Sequence, residues 1–229
     1  MNVLSVNVGL PRAAEFNGMQ VSTSIFKSAV TGRVAVRTLN IEGDKQSDLS
    51  VHGGRLKAVY LYPHEHHAYW SEQLGGQLEF GNFGENLTTE GILEDAVSLG
   101  DQLEIGTALF QVTQPRMPCY KLQFRFQRED MTKRFFISRK FGFYLAVLRE
   151  GEIGAGDEIR IVAKDPSAVT VANAIGLFAG DIRDRELATR ALTVGTLSTS
   201  WQEELRMRRS TWPEPNANVI APESGSATR

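Results

Sequence analysis

"DQLEIGTALFQVTQPRMPCYKL" (101–122) is the stretch on which the reading of the chain turns. Its first fourteen residues place apolar side chains in short runs with a glycine, Gly106, among them, which is the texture of β-strands. Pro115 and Pro118 follow, and each removes a backbone donor, which a strand interior would not tolerate. The segment is therefore a stiff loop at the end of a strand. It carries Cys119, the one cysteine in 229 residues.

The same texture extends over residues 1 to about 163. Short runs recur at 3–9, 32–41, 56–63, 86–89, 142–153 and 157–163, with Gly91, Gly100, Gly151, Gly154 and Gly156 between them. Many short strands with regular turn signals predict a mainly β barrel or sandwich. Two helices interrupt it. "YPHEHHAYWSEQLGG" (62–76) has Pro63 near its start and glycines at its end, and 128–140 is the second. After "KDPSA" (164–168) the texture turns helical. Thr170 caps 171–180, Asp181 or Asp184 caps 185–193, and Ser200 with Glu203 forms a capping box for 201–209. Each helix is too short to stand alone, so all three must pack on a neighbour. The expected organisation is a β domain over 1–163, a three-helix subdomain over 164–212, and a disordered tail over 213–229, rich in Pro, Ser, Ala and Asn.

Composition narrows the function. A net charge of −2 gives no global attraction to nucleic acid or acidic membranes. The apolar runs are too short to span a bilayer, and the N-terminus lacks a signal-peptide pattern, so a soluble cytoplasmic protein is expected. One cysteine forms no intrachain disulfide, and it is too few for an iron–sulfur cluster or a thiolate zinc site.

A lone cysteine is more often a small buried hydrophobe than a reactive group. Arg116 and Lys121 beside Cys119 favour a thiolate and bring the two readings level. "HEHH" (64–67) invites a zinc reading, but the zincin spacing fails at Ala68 and a polar helix start is the commoner use. His52 stands before Gly53, Gly54 and Lys57, a glycine turn in which backbone N–H groups approach an anion closely. An ordinary turn into the next strand explains it equally. Lys27 and Ser28 make a common surface pair, and Asn86 suits a turn cap. "FRFQRED" (124–130) resembles a nucleic-acid stripe, but its acids and the near-neutral total make a packed strand with a solvated face the better reading. Neither a phosphate-binding loop nor a dinucleotide fingerprint occurs.

Taken in order, five blocks resemble the MOSC domain, closest to its YiiM-like branch: 23–34, 41–63, 83–91, 99–122 and 141–159. The resemblance covers about 1–163 and extends through 197–209, which looks like that branch's three-helix appendage. Two positions depart from the pattern: Ala146, where the family often has arginine, and "SRKFG" (138–142), where it has a small glycine-containing turn. The resemblance implies a closed β-barrel holding a molybdenum–pyranopterin cofactor. Cys119 would be the thiolate ligand to the metal. Lys27, Ser28, Gly53, Gly54, Lys57, Asn86, Arg116 and Lys121 would bind the cofactor, and His52 would relay a proton. The implied activity is reduction of N-hydroxylated bases such as hydroxylaminopurines, a detoxification. No haem, flavin or iron–sulfur cluster is expected on the chain itself, so electrons would come from a separate reductase. A homodimer is plausible through the helical appendage. The rival expectations are a persulfide carrier built on Cys119 and a non-catalytic cofactor carrier.

Overall fold

Alternating side chains build the first wall of the core. In β9 (Gln102–Ile105), Leu103 and Ile105 point inward, and in β10 (Ala108–Pro115), Ala108, Phe110 and Val112 do the same. Gly106 joins the two strands at φ +57, and a Cβ there would lie 2.3 Å from the carbonyl oxygen of Glu152, so only glycine fits the turn.

The computed structural model describes residues 1–48 and 53–213. In chain order, β1 (Asn2–Val8) precedes a hairpin of β2 (Arg12–Phe16) and β3 (Met19–Thr23), then β4 (Ser28–Ala29), β5 (Arg33–Arg37) and β6 (Asn40–Ile41). A 3-10 turn at Arg55–Lys57 leads into β7 (Val59–Pro63), α1 (His66–Leu74) and β8 (Leu87–Glu90). After β9 and β10 come α2 (Lys121–Phe126), α3 (Met131–Ser138), β11 (Phe143–Arg149), β12 (Gly151–Gly154) and β13 (Ile159–Ala163). Three helices follow: α4 (Val171–Ala179), α5 (Arg185–Thr193) and α6 (Thr199–Thr211).

The main sheet has eight strands in the order β13-β9-β10-β11-β7-β8-β1-β4, antiparallel except for the parallel pair β7–β8. Smaller sheets of β12-β5-β6 and β2-β3 accompany it. A mainly β architecture with several helices is as expected, but the closed barrel is not. The ladder begins at β13 and ends at β4, and among the described residues no continuous pairing joins those edges. The sheet does curl: Asn2 bridges Glu158, and the Val3 amide donates to Asp157. No helix among the described residues is long and apolar enough to cross a membrane.

The C-terminal helices share the core of the sheet. Val171, Ile175, Leu187, Trp201 and Trp212 belong to the same buried cluster as Phe110 and Leu145. Thr170 caps α4 with a full capping box through Asn173, and Asp184 caps α5 by accepting from Glu186 and Leu187. The box expected at Ser200 does not form, because α6 starts earlier, with Ser198 at its N-cap. A second correction concerns 124–130. Residues 121–126 form α2, ended by Gln127 in the left-handed region, and not a strand. The β2–β3 hairpin was not expected at all, although Asn17 (φ 49) and Gly18 (φ 73) form the Asn-Gly turn that favours one. The expected tail lies, from residue 214 on, outside the described residues.

α1 shows where the histidines go. Nε2 of His66 meets both oxygens of Glu94, at 2.9 and 3.0 Å, and the same carboxylate accepts from the Gly142 amide. His67 is buried among Tyr62, His64 and Phe83, and neither of its ring nitrogens has a hydrogen-bond partner. Burial, and then the fields of His64 and His66, push His67 down to about 4 from 6.5. Between those values the unfolded chain binds a proton that the folded chain refuses. Its contribution is therefore intact above pH 6.5 and is lost progressively as pH falls toward 4. Melting temperature against pH should be flatter over that window in His67→Leu than in wild type; an unchanged slope would clear His67 of the effect.

Candidate active site

Cys119 lies in the 116–120 loop that joins the end of β10 to α2. Backbone bonds fix the loop at both ends. The Arg116 amide donates to the Gly142 carbonyl at 3.2 Å. The Cys119 carbonyl accepts from the Leu122 amide at 3.1 Å and from the Thr132 hydroxyl at 3.3 Å. The thiol is half-buried, on the wall of a cleft with about 590 Å³ of empty space counted to its open mouth.

The cleft gathers residues that are far apart in sequence. Lys27, Gly53, Lys57, Asn86, Arg116 and Lys121 line it together with Cys119. Ser28 and Gly54 do not: Ser28 is exposed on β4, opposite Val8, and Gly54 is an exposed turn residue at φ +82. His52 lies outside the described residues. Ala146, the position that departs from the family pattern, is buried on β11 away from the lining.

Arg116 dominates the electrostatics. Its guanidinium is buried, 5.3 Å from the ring centre of Tyr60 and 5.0 Å from that of Phe135. Burial opposes its charge, but Tyr60, Cys119 and Tyr144 outweigh that and hold it above the usual value. Among the described residues Nη1 has no acceptor, and the buried Ser24 hydroxyl on the same cleft also has no partner. Buried donors left unpaired are costly, and here they face a cavity, which is the arrangement of a site made for a polar or anionic ligand. Lys57 and Lys121 add cations. Burial lowers Lys57, and Lys121 donates to the Ser47 hydroxyl at 3.2 Å.

Two expected ligand contacts are committed elsewhere. Lys27 forms a buried ion pair with Asp44, whose Oδ1 also accepts from the Gly9 amide at 2.8 Å. Desolvation nevertheless lowers Lys27, against the pull of Asp44 and Glu85. The Asn86 side chain accepts from the Tyr60 amide at 3.1 Å and donates to the Asn7 carbonyl at 3.2 Å, sewing β7 to β1. Its neighbour Glu85 gathers the Gly81 and Phe83 amides and the Thr88 hydroxyl, which shapes the 81–88 wall. Burial raises Glu85 above the ordinary carboxylate range.

Tyr60 and Tyr144, with ring centres 5.4 Å apart, line the cleft, as does Asp44. Sequence reasoning missed all three. A tyrosine inside an apolar strand run looks like core, and Asp44 has no local signal. The "HEHH" histidines do not line the cleft, and no group of three metal-ligating side chains occurs among the described residues.

Comparison with known proteins accords with this geometry. The MOSC domain family matches residues 48–160. Protein YiiM of Escherichia coli is 36% identical over 190 residues, spanning 82% of this chain and 84% of that protein. The crystal structure of YiiM from Geobacillus stearothermophilus superposes with a TM-score of 0.76 at 35% identity, covering 91% of this chain and 98% of that one. A Gibberella moniliformis protein named "Reductase" is 30% identical over 166 residues, which cover 71% of this chain and 29% of that protein. The chain thus belongs to the MOSC domain family, among its YiiM-like members.

Proposed function

We propose that the protein is a molybdenum-cofactor-dependent reductase of N-hydroxylated compounds, hydroxylaminopurines among them. The observation that carries this reading is the cleft itself. A half-buried thiol, a buried guanidinium with an unpaired N–H and two further lysines converge on one cavity. Such a donor set suits an anionic ligand carrying a thiolate-binding metal. Cys119 would hold the metal through sulfur, Arg116, Lys57 and Lys121 would hold the anionic groups, and the Gly53 backbone would allow close approach. When bound, the cofactor supplies two-electron transfer with exchange of an oxygen atom.

The overall reaction is R–NHOH + 2 H⁺ + 2 e⁻ → R–NH2 + H2O. The chain's own contribution is binding, orientation and proton supply. Tyr60, Tyr144 and Phe83 provide flat apolar walls for a planar heteroaromatic substrate. His52 is assigned the proton relay. The electrons are assigned to a separate reductase. Membership of the family and the reductase-named relative both favour oxidoreductase chemistry.

The test is turnover. Protein purified from a cofactor-producing host, with dithionite as reductant, should convert 6-hydroxylaminopurine to adenine. Failure to do so in molybdenum-loaded protein would remove this substrate class.

A further inference from the structure

Phe26 sits between two residues that line the cleft, Ile25 and Lys27, but does not line it itself. The guanidinium of Arg12, on β2, stands 3.7 Å from the centre of its ring, and that of Arg125, on α2, stands 5.4 Å from the same centre. Arg125 donates to the Asn82 side-chain oxygen, and its buried Nε has no acceptor. Among the described residues neither arginine has a carboxylate within ion-pair distance; Glu79 and Glu85 reach Arg125 only through longer-range attraction. Glu15 and Glu129, the nearby acids on the hairpin side, accept from Gln20 and Asn17.

An apolar surface adjoins the arginine pair. Phe124 packs edge-on against both Phe16 and Tyr120, at 5.9 Å in each case. Tyr120 is 46% exposed, Met19 opposite Phe16 is 55% exposed, and Leu10 is 63% exposed. Tyr120 is also the residue after Cys119, so this face and the cleft share one loop.

We propose that this face, with Arg12 and Arg125 beside the Phe26 ring and near Tyr120 and Met19, docks an acidic electron-carrier protein. The proposal rests on the reductase reading above, since that reading requires a donor. Charge selects the partner: two guanidiniums with no carboxylate within ion-pair distance complement an acidic surface, and the Phe26 ring holds the exposed Arg12 group in place for pairing. Redox encounters use small interfaces with a few aromatic or arginine anchors, and Tyr120 and the two arginines are anchors of that kind. A nucleic-acid backbone fits less well, since it takes a run of cations and this face offers two. Two carrier molecules each lose one electron, and together they supply the two electrons that R–NHOH consumes.

The probe is a reduced, strongly acidic flavodoxin. With the molybdenum-loaded protein, stopped-flow oxidation of the flavodoxin should slow at least about tenfold at low salt in Arg12→Glu/Arg125→Glu. The deficit should shrink as salt is raised. The control reversal Arg206→Glu, on α6, should change the rate less than about twofold. Dithionite-driven turnover should be the same in all three proteins. If charge reversal lowers the melting temperature, Arg12→Gln/Arg125→Gln replaces it, with a smaller slowing expected. Titration calorimetry of flavodoxin on cofactor-free protein separates the two hypotheses: binding that depends on Arg12 and Arg125 supports docking even where hydroxylaminopurine turnover is absent. Wild-type rates in the double reversal, equal slowing in the control, or no flavodoxin binding to wild type would overturn the assignment. Arginine-dependent self-association, which would make a second copy the occupant, would overturn it too.

Discussion

Cys119→Ala, purified from a host that makes the cofactor, should carry at least about tenfold less molybdenum per chain than wild type. Loss of an outer partner of a metal site already weakens binding roughly 10–100-fold, and a direct ligand matters no less. The fold should survive the change. Only the Cys119 carbonyl, not its side chain, is used to hold the loop, through Leu122 and Thr132. Melting of the cofactor-free variant should therefore match cofactor-free wild type, so that metal loss is read as loss of a ligand. Equal molybdenum in both proteins would remove Cys119 from that role. Separately, a thiol that carries transferable sulfur in wild type protein would favour the persulfide reading.

Lys27→Met should destabilise the protein by about 3–5 kcal/mol, the cost of stranding a buried charge. Lys27 and Asp44 are almost wholly buried, at 7% and 1% side-chain exposure, and Oδ2 of Asp44 already lacks a partner. The variant leaves that carboxylate with only the Gly9 amide. Lys27→Met/Asp44→Leu should recover much of the loss, since replacing both members of a buried pair is far milder than removing one. Urea denaturation of cofactor-free protein measures both. A single variant as stable as wild type would mean that Lys27 is not structural and would return it to the set of cofactor ligands.

The residues that were legible in the sequence are those whose signals are local. Thr170 and Asp184 cap the helices they were expected to cap, because an N-cap side chain needs only the next three amides. The loop around Cys119 was legible because prolines act on their own backbone. The segment 124–130 misled because alternating aromatic and basic residues mimic a period of two over so few positions, while α2 is held by Phe124 against Phe16 on a hairpin 108 residues earlier in the chain. The site follows the same rule. The convergence of Lys57, Arg116, Cys119 and Lys121 followed from the ordered blocks, whereas the diversion of Lys27 to Asp44 and of Asn86 to the Tyr60 and Asn7 backbone depends on partners no local pattern records.

β1 sets the timetable of folding. Its far end pairs with the nearby β4, with Asn7 opposite Ala29, but its main ladder is with β8, with Asn2 opposite Glu90, and its other edge is bonded at Asp157 and Gly156. At about 5–20 residues per second of synthesis, roughly 10–30 s separate the emergence of β1 from that of its last partner. Throughout that interval β4 can pair only the far end of β1, and Val3 and Val6, which the finished protein buries completely, lack most of their cover. Nascent chains are thus most exposed to aggregation before the second half has been translated, and a chaperone that masks residues 2–8 would protect yield without touching the final stability.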